Sequence, residues 1–200
     1  MAACDLILEF VETALHSILY LRKLYPEAIF RKRQKYKVPV QMSVHKEVNE
    51  YIASTLSSLR PYLQEQLLEE LAIVVIDPGG RTFETVTIEL AVLGGDAYTV
   101  RGDEYLTRLE ATLSGLLLGL YATLADCPAP PTDSTFRVHA TVARCRSETL
   151  EQTEGFLLTV AAAPPPPPED GCHVLPIRSV RNELFSVQMA LRRPPGRVGR

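Results

Sequence analysis

Tryptophan is absent from the 200 residues, and so is every short motif that would announce catalysis. No Gly-x-Gly-x-x-Gly, P-loop or Gly-x-Ser-x-Gly pattern occurs, so no dinucleotide cradle, phosphate loop or nucleophile elbow is nominated. The four histidines are scattered. His16 is expected on the solvated stripe of a helix and His139 on the outward face of a strand, and neither has a nucleophile or an orienting acid in its pattern. Cysteine is sparse: Cys4, Cys127, Cys145 and Cys172 lie far apart with no Cys-x-x-Cys. Cys172-His173 could open a zinc site, but no second ligand pair has suitable spacing. No metal or other cofactor is therefore expected, and the chain does not read as an enzyme.

Charge of one sign is lacking too, since the formal net charge is only -3. Electrostatic recognition would have to come from local clusters. Long apolar runs are missing: the most apolar stretch falls within 113–125, short of the roughly 20 residues that a bilayer demands. The opening MAACDLILEFVET has no basic flank, and Asp5, Glu9 and Glu12 interrupt its apolar residues. It predicts no secretory signal, no membrane partner, and free thiols in a reducing nucleus or cytoplasm.

What is there is ordinary for a packed domain: 46% hydrophobic and 22% charged residues, enough to exclude bulk disorder. Residues 5–24 predict a helix, with Asp5, Glu9, Glu12, His16 and Lys23 on one narrow polar stripe and Pro26 as its terminator. Arg31, Lys32, Arg33, Lys35 and Lys37 form a basic hairpin or loop. Ser43 is expected to cap a second helix running to Arg60 before Pro61, with Val48, Ile52, Leu56 and Leu59 buried. Tyr51 flanks that stripe, where a ring can sit half in the core and half on a partner.

The run LAIVVI at 71–76, the turn at 77–80 and the alternation over 82–90 predict a buried antiparallel hairpin. Residues 103–125 predict a third helix, on which Gly115 and Gly119 share a face suited to close packing on the sheet. Alternation predicts strands at 136–142 and 185–191. Between them lie a weakly patterned stretch, the proline run 164–168, which cannot pair in a sheet, and beyond them a basic tail. The fold class is α+β, three helices on an antiparallel sheet.

The stretch YPEAIFRKRQKYKVPVQMSVHKEVNEYIASTL at 25–56, with LEFVETALHSILYLRKLYP at 8–26 before it and VLPIRSVRNELFSVQMAL at 174–191 near the end, resembles the HORMA-domain family. Within that family it resembles the branch serving as accessory subunit of translesion DNA polymerase zeta. The resemblance implies a non-catalytic adaptor forming a single domain over 1–192, with a core at about 5–145 and a C-terminal "safety belt" at about 150–192 that wraps a partner peptide, followed by a tail at 193–200. Tyr51 matches the family's helix tyrosine that packs on a partner proline. With Val174, Leu175, Pro176 and Gln188 it makes up the implied peptide contacts.

The implied partner is the catalytic subunit of polymerase zeta, in the nucleus and also the cytoplasm. Further implied partners are the deoxycytidyl transferase scaffold, shieldin subunits, activators of the anaphase-promoting complex and a second HORMA domain. The chain also departs from the family. It has no belt tryptophan, only apolar residues at 156–160. Val174, Gln188 and Ala190 stand where the scaffold-docking surface carries leucine, glutamine and tyrosine, and Ser114 stands where a dimerisation arginine does. Alternative readings are a mitotic-checkpoint regulator, a shieldin-type repair component and, from another class, a direct nucleic-acid binder through residues 31–37.

Overall fold

A computed structural model describes residues 3–93, 103–143 and 172–195 of the chain. Helix α1 (Ala3–Leu21) is apolar around most of its circumference, and Ile7, Phe10, Val11, Ala14, Leu15, Ile18 and Leu19 are all buried. A helix of this composition is stable only with neighbours on several sides. Its buried hydroxyls are satisfied within the helix, Thr13 donating to the Glu9 carbonyl at 2.9 Å and Ser17 to that of Thr13 at 2.8 Å.

The helix ends before Pro26 can act. The Lys23 N–H donates to the Tyr20 carbonyl and the Leu24 N–H to that of Leu19, with Lys23 at φ 51°. This double bond with a left-handed residue is a Schellman stop. A three-residue 3-10 turn (Glu27–Ile29) then leads into β1 (Phe30–Lys35) and β2 (Val38–Ser43). Tyr36 and Lys37, both at positive φ, form the two-residue turn between them.

Helix α2 (Lys46–Gln64) differs from expectation at both ends. Ser43 closes β2 instead of capping the helix, although its Oγ accepts the His45 N–H at 3.0 Å. The helix also runs through Pro61, because Tyr62 and Leu63 in its last turn are buried in the core. That burial offsets the lost backbone bond.

The main sheet takes β3 (Leu68–Ile76), β4 (Thr82–Val92), β5 (Thr135–Val142), β6 (His173–Arg181) and β7 (Phe185–Arg193) in the order β5-β3-β4-β7-β6, all antiparallel. Leu71, Ile73, Val86, Ile88, Val187, Met189 and Leu191 fill its inner face. Helix α3 (Asp103–Ala125) lies against β6 and α1. There Gly115 admits the Arg178 side chain and Gly119 admits Ile177, so the glycine pair serves close packing, as expected.

β6 gave no sequence signal. Its residues are mostly exposed, Pro176 interrupts it, and its register shifts between Pro176 and Arg178; all three traits belong to edge strands. Gly94-Gly95, the apolar residues 156–160, the proline run 164–168, the first half of the expected belt (150–171) and the last five residues lie outside the described residues. Among the described residues, no helix is long and apolar enough to cross a membrane.

Candidate functional site

β5 occupies one edge of the main sheet. Among the described strands it pairs with β3 alone, through a register running from Ile76↔Thr135 to Leu68↔Val142. Every other residue of such an edge strand directs its N–H and C=O away from the sheet. The side chains alternate. Phe136, Val138, Ala140 and Val142 rest against the core and are only partly covered, while Arg137 and His139 are exposed on the outer face.

Tyr51 stands at this edge. Its neighbours Val48 and Ile52 are drawn into the core, which turns the Tyr51 ring outward, 46% exposed. The ring meets Phe136 edge-on, with centroids 5.7 Å apart and planes at 88°. Tyr25, just past the end of α1, meets Phe136 from another side at 6.3 Å and 74°. Burial, and then the neighbouring Tyr51, raise the Tyr25 hydroxyl above its ordinary pKa, so it stays protonated and able to donate. The result is an aromatic wall of three rings beside a strand edge that is open among the described strands. An extended segment laid there would gain main-chain hydrogen bonds and a ring surface suited to proline.

The other implied contacts do not join this site. Val174, Leu175 and Pro176 are exposed on β6, at the opposite edge of the sheet, and Gln188 is exposed on neighbouring β7. Four strand spacings, about 19 Å, separate β5 from β6. The resemblance grouped these residues with Tyr51, whereas the strand order divides them into two surfaces. Ala190 pairs with Pro176 beside Gln188 on the second surface, and Ser114 is half-buried on α3.

The basic segment is partly neutralised from within. Lys35 pairs with Glu9 at 2.8 Å, Lys37 with Glu110 at 2.7 Å, and Arg31 donates to the Ala28 and Phe30 carbonyls. Lys32 and Arg33 remain exposed on β1 without an ionic partner among the described residues. Two free cations and a tethered third make a weak phosphate footprint compared with five.

Two features had no sequence signal. Arg22 and Glu84 are both fully buried. Arg22 Nη2 lies 3.1 Å from Glu84 Oε2, and its guanidinium also donates to the carbonyls of Leu124, Cys127 and Pro128 at the end of α3. Arg193 of β7 reaches the same carboxylate at 3.0 Å. Partners some 60 to 110 positions apart leave no local pattern. His16, expected on a solvated stripe, is instead buried between α1 and β2, and its Nδ1 accepts the Ser43 N–H at 3.3 Å. Among the described residues, no group of three His, Cys, Asp or Glu side chains is placed to hold a metal ion. Cys4, Cys127 and Cys172 are not joined in disulfides.

Residues 4–93 match the HORMA-domain family model. The Homo sapiens mitotic spindle assembly checkpoint protein MAD2B is 31% identical over 188 residues, spanning 92% of this chain and 88% of its own. The Drosophila melanogaster DNA polymerase zeta subunit 2 is 26% identical over 136 residues, 68% of this chain and 67% of its own. Among solved structures, a chain of the Mitotic Checkpoint Complex superposes with a TM-score of 0.77 at 20% identity, covering 95% of this chain and 97% of that one. Caenorhabditis elegans HTP-2 bound to the HIM-3 closure motif superposes with a TM-score of 0.73 at 10% identity, covering 96% and 90%. At these identities the structures show a shared fold.

Proposed function

Because this chain belongs to the HORMA-domain family, we propose that it is a non-catalytic adaptor that takes a proline-containing segment of a partner protein as an added strand on β5, against Tyr51. The observation that carries this reading is the β5 edge, unpaired among the described strands and flanked by the ring wall of Tyr25, Tyr51 and Phe136. The reading takes the chain as a single domain over 1–192, with a belt at 150–192 that closes over the segment and is anchored in the sheet through β6 and β7. The chain order fits such a belt: β5 and β6 are consecutive among the described strands yet stand at opposite edges of the sheet.

The partner we favour is the catalytic subunit of DNA polymerase zeta, in the nucleus and also the cytoplasm. The relatives named as polymerase zeta subunits support this choice. A second reading, regulation of the anaphase-promoting complex, is favoured by the relatives named as mitotic spindle assembly checkpoint proteins. Affinity capture with the full chain and with Tyr51→Ala separates them. Recovery of a polymerase catalytic subunit, lost in the variant, is expected. Recovery of cyclosome components in its place would favour the second reading, and capture insensitive to Tyr51 would remove the groove from both.

A further inference from the structure

Resting on that reading, the geometry points to an acidic preference in the partner segment: carboxylate side chains two residues apart, facing Arg137 and His139 on the outer side of β5. A strand added to β5 must alternate as β5 does. Residues on its inner side meet the partly covered Phe136, Val138 and Ala140 and the Tyr51 ring. Residues on its outer side stand beside Arg137, His139 and Thr141. Directly opposed side chains on one face of an antiparallel pair lie about 5 Å apart, so a carboxylate there is within reach of the guanidinium.

The sheet does not neutralise these groups itself. Across the β3 register Arg137 faces Val74, His139 faces Ala72, and Thr141 faces Glu70. Glu70 is bound by Arg192 at 2.8 Å, and the same guanidinium lies 3.8 Å from Glu89. The outer face therefore spends its carboxylates on β7 and leaves Arg137 without an acidic partner among the described residues. Proline and apolar residues would set affinity on the inner side, and charge on the outer side would set selectivity.

The test is selection of a displayed random-peptide library on full-length protein, in parallel with Arg137→Glu, Arg137→Gln and Tyr51→Ala. Arg137 is exposed on an edge strand, and melting curves check that its variants fold. The natural chain should enrich proline-bearing peptides with Asp or Glu at positions i and i+2. Arg137→Gln should weaken that bias, and Arg137→Glu should replace it with Lys or Arg. Synthetic versions of one enriched peptide, carrying Glu or Lys at the two positions, should differ about three- to ten-fold in Kd at low salt. The difference should shrink toward unity between about 0.05 and 0.5 M salt. Proline-bearing peptides lost in Tyr51→Ala but equally acidic or basic on all Arg137 forms would overturn the charge inference and leave the adaptor reading standing. Enrichment of no peptide, or of peptides indifferent to Tyr51, would overturn both.

Discussion

The imidazole of His16 is enclosed between α1 and β2, and its Nδ1 accepts a backbone N–H. The proton of the neutral ring therefore sits on Nε2, and protonating Nδ1 would cost this bond. Burial lowers its pKa from 6.5 to about 4. In the unfolded chain His16 takes up a proton near its ordinary value, while in the folded chain it resists until about 4. Between those values the unfolded state binds more protons, so acidification destabilises the fold, by at most about 1.4 kcal/mol per pH unit from this group. Urea midpoints measured across that window should show this slope, and His16→Gln should flatten it. The buried Arg22–Glu84 pair should be more sensitive still. Glu84→Gln leaves the Arg22 charge buried without its carboxylate and should lower stability by about 3–5 kcal/mol. Arg193→Met should cost only about 1 kcal/mol, because Arg22 keeps its partner; urea denaturation of both variants checks the ordering. Neither arrangement was legible in the chain. A histidine four positions from Glu12 reads as solvated until β2 covers it, and nothing local links residue 22 to residue 84.

At the scale of elements, periodicity carried most of the fold. Strands β3, β4, β5 and β7 and all three helices announce themselves through alternation or through the 3.6-residue repeat. Tertiary contacts override local rules at the Schellman stop at Lys23, at Tyr62 and Leu63, whose burial carries α2 past Pro61, and in the exposed strand β6. The glycines of α3 give a sharp check on the helix–strand packing. At Gly115 an added Cβ would meet the Arg178 guanidinium at 3.0 Å, a flexible group able to yield, and at Gly119 it would lie 3.5 Å from Ile177. Gly115→Ala should therefore leave stability unchanged or raise it by up to about 1 kcal/mol through helix propensity. Gly119→Leu should instead wedge α3 from β6 and cost about 1–3 kcal/mol. In thermal melts Gly119→Leu should fall below the natural chain, while Gly115→Ala holds its midpoint or exceeds it.

At the scale of the molecule, half of the candidate site could be read from the sequence. Tyr51 was visible as an aromatic flanking a buried stripe, but its partners Phe136 and Tyr25 come from other elements, and only the fold brings the three rings together. The separation of Tyr51 from Val174, Leu175, Pro176 and Gln188 depends on strand order, which no local pattern encodes. Strand β7 also belongs to the core, with Phe185, Val187, Met189 and Leu191 fully buried. Removing the C-terminal segment would therefore open the fold, so peptide binding has to be studied on the full chain. Tyr51→Ala should weaken a proline-bearing peptide by about 1–3 kcal/mol in calorimetry while the melting profile stays intact. A partner segment that becomes a sixth strand on β5 must leave its mark in backbone hydrogen exchange of the full chain, recorded with and without a display-selected proline-bearing peptide. The peptide should slow exchange at alternate amides of Thr135–Val142 and leave those of His173–Arg181 unchanged. Protection of His173–Arg181 with Thr135–Val142 unaffected would contradict it.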